Sequence, residues 1–141
     1  MLLCILVTWQ AWEVSRTNKN GAVSSTSKIA SDAGIDILKE GGNAFDAIVA
    51  TGFALAVTSP SNGNIGGGGF LVAHTADGRS VSLDFREKAP QLSYQQMFLN
   101  ENGDYDRTVA LESHKSSGVP GTVNGLLKIL NDYGSGKLTL E

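Results

Sequence analysis

Residues 59–70 read Ser59-Pro-Ser-Asn-Gly-Asn-Ile-Gly-Gly-Gly-Gly-Phe70, and the organisation of the chain turns on this stretch. It joins an apolar segment of helical length, residues 44–57, to an apolar strand-like run, residues 70–75. The four glycines from Gly66 to Gly69 leave no side chain to hold the backbone off its surroundings, so something approaches it closely. Phosphate is the first partner to weigh. Phe70 and Leu71 follow Gly69, so there is no Gly-x-Gly-x-x-Gly, and no Lys-Ser or Lys-Thr stands where a phosphate loop needs it. The order of elements is also reversed, because phosphate loops leave a strand and open a helix, whereas this one leaves a helix and opens a strand. From the residues alone, close packing and contact with another ligand both stay open.

Upstream of the glycines, residues 44–57 are apolar nearly all round, with several alanines and Gly52, which implies a helix buried on most sides. Asn43 is its N-cap, Asp46 sits where a capping box places its acidic partner, and Pro60 ends it. Before it, Ile29, Ala30, Ala33, Ile37 and Leu38 recur at three- and four-residue spacing, giving an amphipathic helix over residues 27–40. Ser27 caps that helix and Gly41-Gly42 stops it. Residues 21–25 form a short strand candidate, and the polar residues 14–20 read as a linker.

Downstream, residues 70–75 and 80–85 flank Ala76-Asp-Gly-Arg79, a hairpin signal. In the second strand Val81, Leu83 and Phe85 point one way and Ser82, Asp84 and Arg86 the other, which gives one apolar and one polar face. Arg86 emerges at the strand end, and Pro90 stops the ladder. Residues 94–99 read as a short helix, 100–104 as a turn, and 107–118 as polar and irregular. The last helix covers residues 123–133, with Val123, Leu126, Leu127 and Leu130 as its apolar stripe and Gly134 as its stop. Residues 138–141 look like the start of another element.

The whole sequence has 141 residues, 41% of them apolar and 18% charged, which suits a mixed α/β (α+β) globular segment. A net charge of -3 with scattered basic residues argues against nucleic-acid binding. Cys4 is the single cysteine, and His74 and His114 have no cysteines near them at metal-ligand spacing, so no metal site is read. Residues 1–13 are an apolar N-terminal segment. It is too short to span a bilayer, which takes about 20 apolar residues. As a signal it is degenerate, since nothing basic precedes it and no small-x-small site follows Trp12.

Arg86 is the charge with the clearest chemistry. A guanidinium at a strand end beside a glycine loop can hold a carboxylate through two parallel hydrogen bonds, which a lysine cannot reproduce. The competing reading is a surface pair with Asp84 or Glu87. No nucleophile stands out: there is no Gly-x-Ser-x-Gly or Ser-x-x-Lys, and neither histidine has a recognisable partner.

Taken together, Ile37-Leu-Lys-Glu-Gly-Gly-Asn-Ala-Phe-Asp-Ala47, Gly63-Asn-Ile-Gly-Gly-Gly-Gly-Phe70, Leu83-Asp-Phe-Arg-Glu-Lys-Ala-Pro90 and Ser117-Gly-Val-Pro-Gly-Thr-Val123 closely resemble the γ-glutamyltranspeptidases. The resemblance covers residues 14–141 in one register, as the N-terminal part of the large subunit. It implies an N-terminal nucleophile hydrolase fold, an αββα sandwich present here only in part. It also implies a proenzyme that cuts itself into large and small subunits, and a threonine nucleophile at the head of the small subunit with its own α-amine as base. The implied reaction takes the γ-glutamyl group of glutathione, or of another γ-glutamyl compound, as an acyl-enzyme and passes it to water or an amino acid. No cofactor is implied.

Of the functional positions, only Arg86 matches, as the holder of the substrate α-carboxylate. Thr26, Thr51, Thr58 and Thr122 do not match the nucleophile, so no catalytic residue is assigned in this chain. On this resemblance the segment is expected to be inactive by itself and to expose the apolar faces of its second helix and hairpin. The family resemblance implies export to the periplasm or cell exterior, with an atypical leader. Two alternatives stay open: an acylase of cephalosporin-type amides with the same fold, and a non-catalytic fragment that needs a partner chain.

Overall fold

The computed structural model describes residues 15–18 and 21–139, so the apolar segment 1–13 with Cys4, and residues 140–141, lie outside the described residues. The first element, β1 (Ser15–Asn18), pairs antiparallel with β2 (Gly21–Ser24), with Ser15 opposite Ser24 and Asn18 opposite Gly21. The linker expected over residues 14–20 is therefore corrected. Its polar residues hid a strand because the antiparallel pairing with β2 is made by main-chain hydrogen bonds, which leave no mark in the apolar pattern.

Helix α1 (Lys28–Lys39) begins where Ser27 accepts a hydrogen bond from the Ala30 N–H, and it ends before Gly41, whose φ of +88° suits glycine. Helix α2 (Ala44–Thr58) has the capping box in full: Asn43 Oδ1 accepts from the N–H groups of Phe45 and Asp46, and Asp46 Oδ2 accepts from the Asn43 N–H at 2.8 Å. The two helices pack together through Ile35, Leu38 and Ala47, with Val23 of β2 against them. At their crossing Gly34 leaves no room for a side chain, since a Cβ there would overlap Thr51 Oγ1.

Strands β3 (Phe70–His74) and β4 (Ser80–Asp84) form the second hairpin, with Leu71 opposite Leu83. Its turn holds Gly78 at φ +85°. Helix α4 (Thr122–Tyr133) lies against α2 and this hairpin, and Val49, Leu71, Leu126 and Ile129 form the main core. Ile129, 1% exposed, is the centre of the helix's buried face, whereas Val123 is 40% exposed. The apolar stripe predicted for this helix is thus rotated: Gly125, Leu126 and Ile129 face inward, because the first turn sits on Phe85 instead of on an aliphatic partner.

Two further expectations change in the stretch between. Residues 94–99 make only three-residue turns, Tyr94 to Met97 and Gln96 to Leu99, since six residues between a proline-bounded turn and Asn100 offer too few i→i+4 bonds. Residues 107–118 are not wholly irregular: Asp106 accepts from the Val109 N–H and starts α3 (Arg107–Glu112), and a 3₁₀ turn follows at His114–Ser116. Helix α2 is also less covered than its composition predicts. Ile48 and Val57 are exposed, and an apolar groove of about 770 Å³ runs along α2, β2 and Leu126. On the hairpin, Phe70 and Val72 are open as well.

Mixed α/β is the class the described residues support, with the strands in two separate two-stranded sheets. No helix among the described residues is long and apolar enough to cross a membrane.

Candidate functional site around Arg86

Beyond β4 the chain continues extended for a few residues. Phe85 exchanges hydrogen bonds with Gly69, and Lys88 exchanges them with Val119 at 3.1 and 2.8 Å. Residues 85–88 therefore run between two glycine-rich segments, Gly67 to Gly69 on one side and Gly118 to Gly121 on the other. The segments are themselves joined: the Gly67 carbonyl accepts from the N–H of Gly121 at 2.8 Å and of Thr122 at 3.0 Å. That carbonyl caps the first turn of α4, where Gly121 has no side chain to do so. Three of the sequence words thus converge on one point, and Arg86 stands there.

Arg86 is anchored at its root and open at its tip. Its backbone N–H donates to Asp84 Oδ1 at 2.9 Å, its Nε donates to Glu87 Oε2 at 2.9 Å, and its guanidinium lies 5.7 Å from the centre of the Phe70 ring. Among the described residues, the terminal nitrogens Nη1 and Nη2 have no hydrogen-bond partner, and the side chain is 60% exposed. Of the two sequence readings of Arg86, the structure contains the surface pair. The pair with Glu87 engages Nε and leaves the terminal nitrogens exposed.

Glu87's carboxyl is held below its ordinary value, first by its own backbone N–H and then by the Arg86 guanidinium, so it is a charged partner at neutral pH. A cleft of about 210 Å³ opens between β4 and α4 on this side, lined by Arg86, Lys88, Pro120, Asn124 and Lys128 among others. Sequence reading found Arg86 and named Glu87 only as a surface partner. It missed Phe70 as a platform, although a ring in the last pair of the hairpin, opposite Asp84 and so two residues short of Arg86, was the available signal.

The histidines do not join this site in any observed contact: His74 on β3 meets Ser80 at 3.3 Å, and His114 opens the 3₁₀ turn. Among the described residues, no three of His, Cys, Asp and Glu gather in a way that could hold a metal ion. Thr58 donates to the Ala54 carbonyl, and Thr51 is buried between α1 and α2.

The remaining word, residues 37–47, acts at the far end of α4. Asn43 Nδ2 donates to the Tyr133 carbonyl at 2.8 Å, and both oxygens of the fully buried Asp46 accept from the Ser135 N–H at 3.1 Å. Phe45 stacks on Tyr133, with ring centres 5.0 Å apart. Helix α4 is therefore held at its N-terminus by the glycine loop and at its C-terminus by the cap of α2.

Comparison with known proteins bears on all of these segments. The family model described as gamma-glutamyltranspeptidase matches residues 30–141. The glutathione hydrolase proenzyme of Escherichia coli (strain K12) is 50% identical over 117 residues, covering 83% of this chain and 20% of that protein. The proenzyme of Bacillus subtilis subsp. natto is 40% identical over 124 residues, with 86% and 21% covered. Among solved structures, the gamma-glutamyltranspeptidase of Helicobacter pylori superposes with a TM-score of 0.80 at 48% identity, covering 85% of this chain and 34% of that one. The transpeptidase CapD of Bacillus anthracis superposes at 0.63 with 27% identity, covering 89% and 35%. The chain spans about a fifth of the length of the curated relatives and about a third of the solved chains it matches. With most of its length inside the family model, and with all four sequence words placed in one connected arrangement, the chain belongs to the γ-glutamyltranspeptidase family.

Proposed function

We propose that this chain is the N-terminal part, residues 14–141, of the large subunit of a γ-glutamyl transferase and hydrolase, and that Arg86 binds the α-carboxylate of the γ-glutamyl donor. The observation that carries the reading is the exposed guanidinium, held at Nε by Glu87 and free at both terminal nitrogens. A carboxylate there makes two parallel charge-assisted hydrogen bonds, which fix the donor's orientation as well as its affinity. The donor is glutathione or another γ-glutamyl compound, as the names of the relatives suggest. The whole protein is an αββα sandwich of the N-terminal nucleophile hydrolases, matured by autocleavage into two subunits and exported to the periplasm or cell exterior. In it the groove along α2 is covered by later parts of the fold, and the acyl group passes through a threonine of the small subunit to water or an amino acid.

The experiment is a chimera in which the matching 117 residues of the E. coli glutathione hydrolase proenzyme are replaced by those of this chain. Expected are autocleavage and hydrolysis of a γ-glutamyl anilide. Arg86→Lys should raise KM for that donor about tenfold or more, the loss of one hydrogen bond to a charged group. The 4-aminobutyryl anilide, which lacks the α-carboxylate, should be nearly indifferent to the change. Equal effects on the two donors would remove Arg86 from this role.

A further inference from the structure

Four glycines from two distant parts of the sequence touch the short segment that carries Arg86. A Cβ on Gly68 would lie 2.6 Å from the Phe85 carbonyl oxygen, 2.7 Å from the Glu87 nitrogen and 2.8 Å from Arg86 Cα. From the second segment, a Cβ on Gly121 would overlap the same Phe85 carbonyl oxygen outright and lie 3.1 Å from that of Arg86. The Phe85 ring is gripped in the same way: a Cβ on Gly125 would overlap its Cγ, and one on Gly69 would lie 2.8 Å from its Cε2. None of the four has a positive φ, so the requirement at each is proximity and not backbone conformation.

The partners differ in how far they can yield. At Gly68 and Gly121 the opposing atoms are main chain, held by the hydrogen bonds between Phe85 and Gly69, between Lys88 and Val119, and from Gly121 and Thr122 to Gly67. They cannot swing aside as a side-chain tip would, so an added methyl group has to push residues 85–87 bodily. Arg86 moves with them, and its Nη nitrogens lie at the end of a long lever.

We propose that Gly68, Gly69, Gly121 and Gly125 are positioning residues that close on residues 85–87 from two segments of the chain and set the direction in which the Arg86 guanidinium leaves the strand. The proposal rests on the reading of Arg86 as the carboxylate holder. It gives the glycine run a task in substrate selection: the glycines never touch the donor, and they determine whether two parallel bonds to its carboxylate are geometrically possible.

The test uses the E. coli chimera with the two anilide donors. Gly68→Ala should lower kcat/KM for the γ-glutamyl anilide by about ten- to a hundredfold, mainly through KM, as expected for displacement of a binding group by a fraction of an ångström to 1 Å. The 4-aminobutyryl anilide should change by less than about twofold, because it makes no use of the fork. Gly66→Ala is the control, since a Cβ there meets nothing closer than Asn64 Oδ1 at 3.5 Å. Gly69→Ala presses only on the edge of the Phe85 ring and should shift the same selectivity in the same direction by a few-fold, even if Gly68→Ala fails to mature. A parallel fall on both donors, or no change in selectivity at Gly69, overturns the proposal. If Arg86→Lys alters the selectivity and the glycine variants do not, the buttress fails by itself; if none of them alters it, the reading of Arg86 fails.

Discussion

Replacing Asp46 with asparagine tests the clamp that joins the start of α2 to the end of α4. The carboxylate is fully buried, with Oδ2 receiving the Asn43 N–H at 2.8 Å and both oxygens receiving the Ser135 N–H at 3.1 Å. Asparagine keeps one acceptor oxygen and turns an NH₂ group toward one of these donors, so at least one hydrogen bond to a charged acceptor is lost and donor faces donor. That costs about 1.5–3 kcal/mol. At about 1.4 kcal/mol per factor of ten, local opening becomes roughly ten- to a hundredfold more frequent. Amide hydrogen exchange reads this directly: Ser135 and Asn43 should lose protection by that factor in Asp46→Asn, while Leu83 on β4 changes far less. Unchanged protection at both amides would refute the clamp.

The same residue gives a pH dependence. Burial alone would raise the Asp46 pKa and is the largest single influence, but hydrogen bonds from the Ser135 side chain, the Asn43 N–H and the Ser135 N–H together outweigh it and leave the pKa below 3.8. A carboxyl that is more acidic folded than unfolded contributes its stability fully above the unfolded value and loses it as pH falls through the folded value. Protection in the natural chain and in Asp46→Asn should therefore converge below pH 3.8 and differ fully at neutral pH.

Two further changes probe the helix crossing and the Arg86 platform. Gly34→Ala should destabilise the chain by about 1–3 kcal/mol through overpacking at the α1–α2 crossing. Adding Thr51→Ala removes the overlap with Oγ1 and should recover part of that loss, so strictly additive shifts in urea midpoint would exclude this contact as the cause. Phe70→Leu removes the ring beside the Arg86 guanidinium, a cation–π contact of about 0.5–1 kcal/mol at an exposed position. In the E. coli chimera it should raise KM for the γ-glutamyl anilide about two- to fivefold, and an unchanged KM would show that the ring does not hold the arginine.

Local chemistry made much of the fold legible. Ser27, Asn43 with Asp46, and Gly41 mark helix ends because a cap satisfies orphan backbone groups within three residues of itself. The β3–β4 hairpin was readable from Asp77-Gly78 and from the alternation that places Arg86 on the polar face. Elements with a weaker local signature were misread. Strand β1 is polar, α3 is six residues long with no buried residue, and residues 94–99 have helical composition without the length to sustain it.

The sequence by itself determined the family, three of the helices and the β3–β4 hairpin, because each depends on residue type at short spacing. Only the tertiary structure decided what the glycines lie against. Gly68 and Gly121 face main-chain atoms of residues 85–87, Gly69 and Gly125 face the Phe85 ring, and no periodicity records which segments will lie against which. The same holds for Asp46, which sequence reading confined to its own helix and which reaches Ser135, 89 residues away. A buried carboxylate and a bare glycine both need partners of definite shape, and the partners are brought near only when distant segments pack.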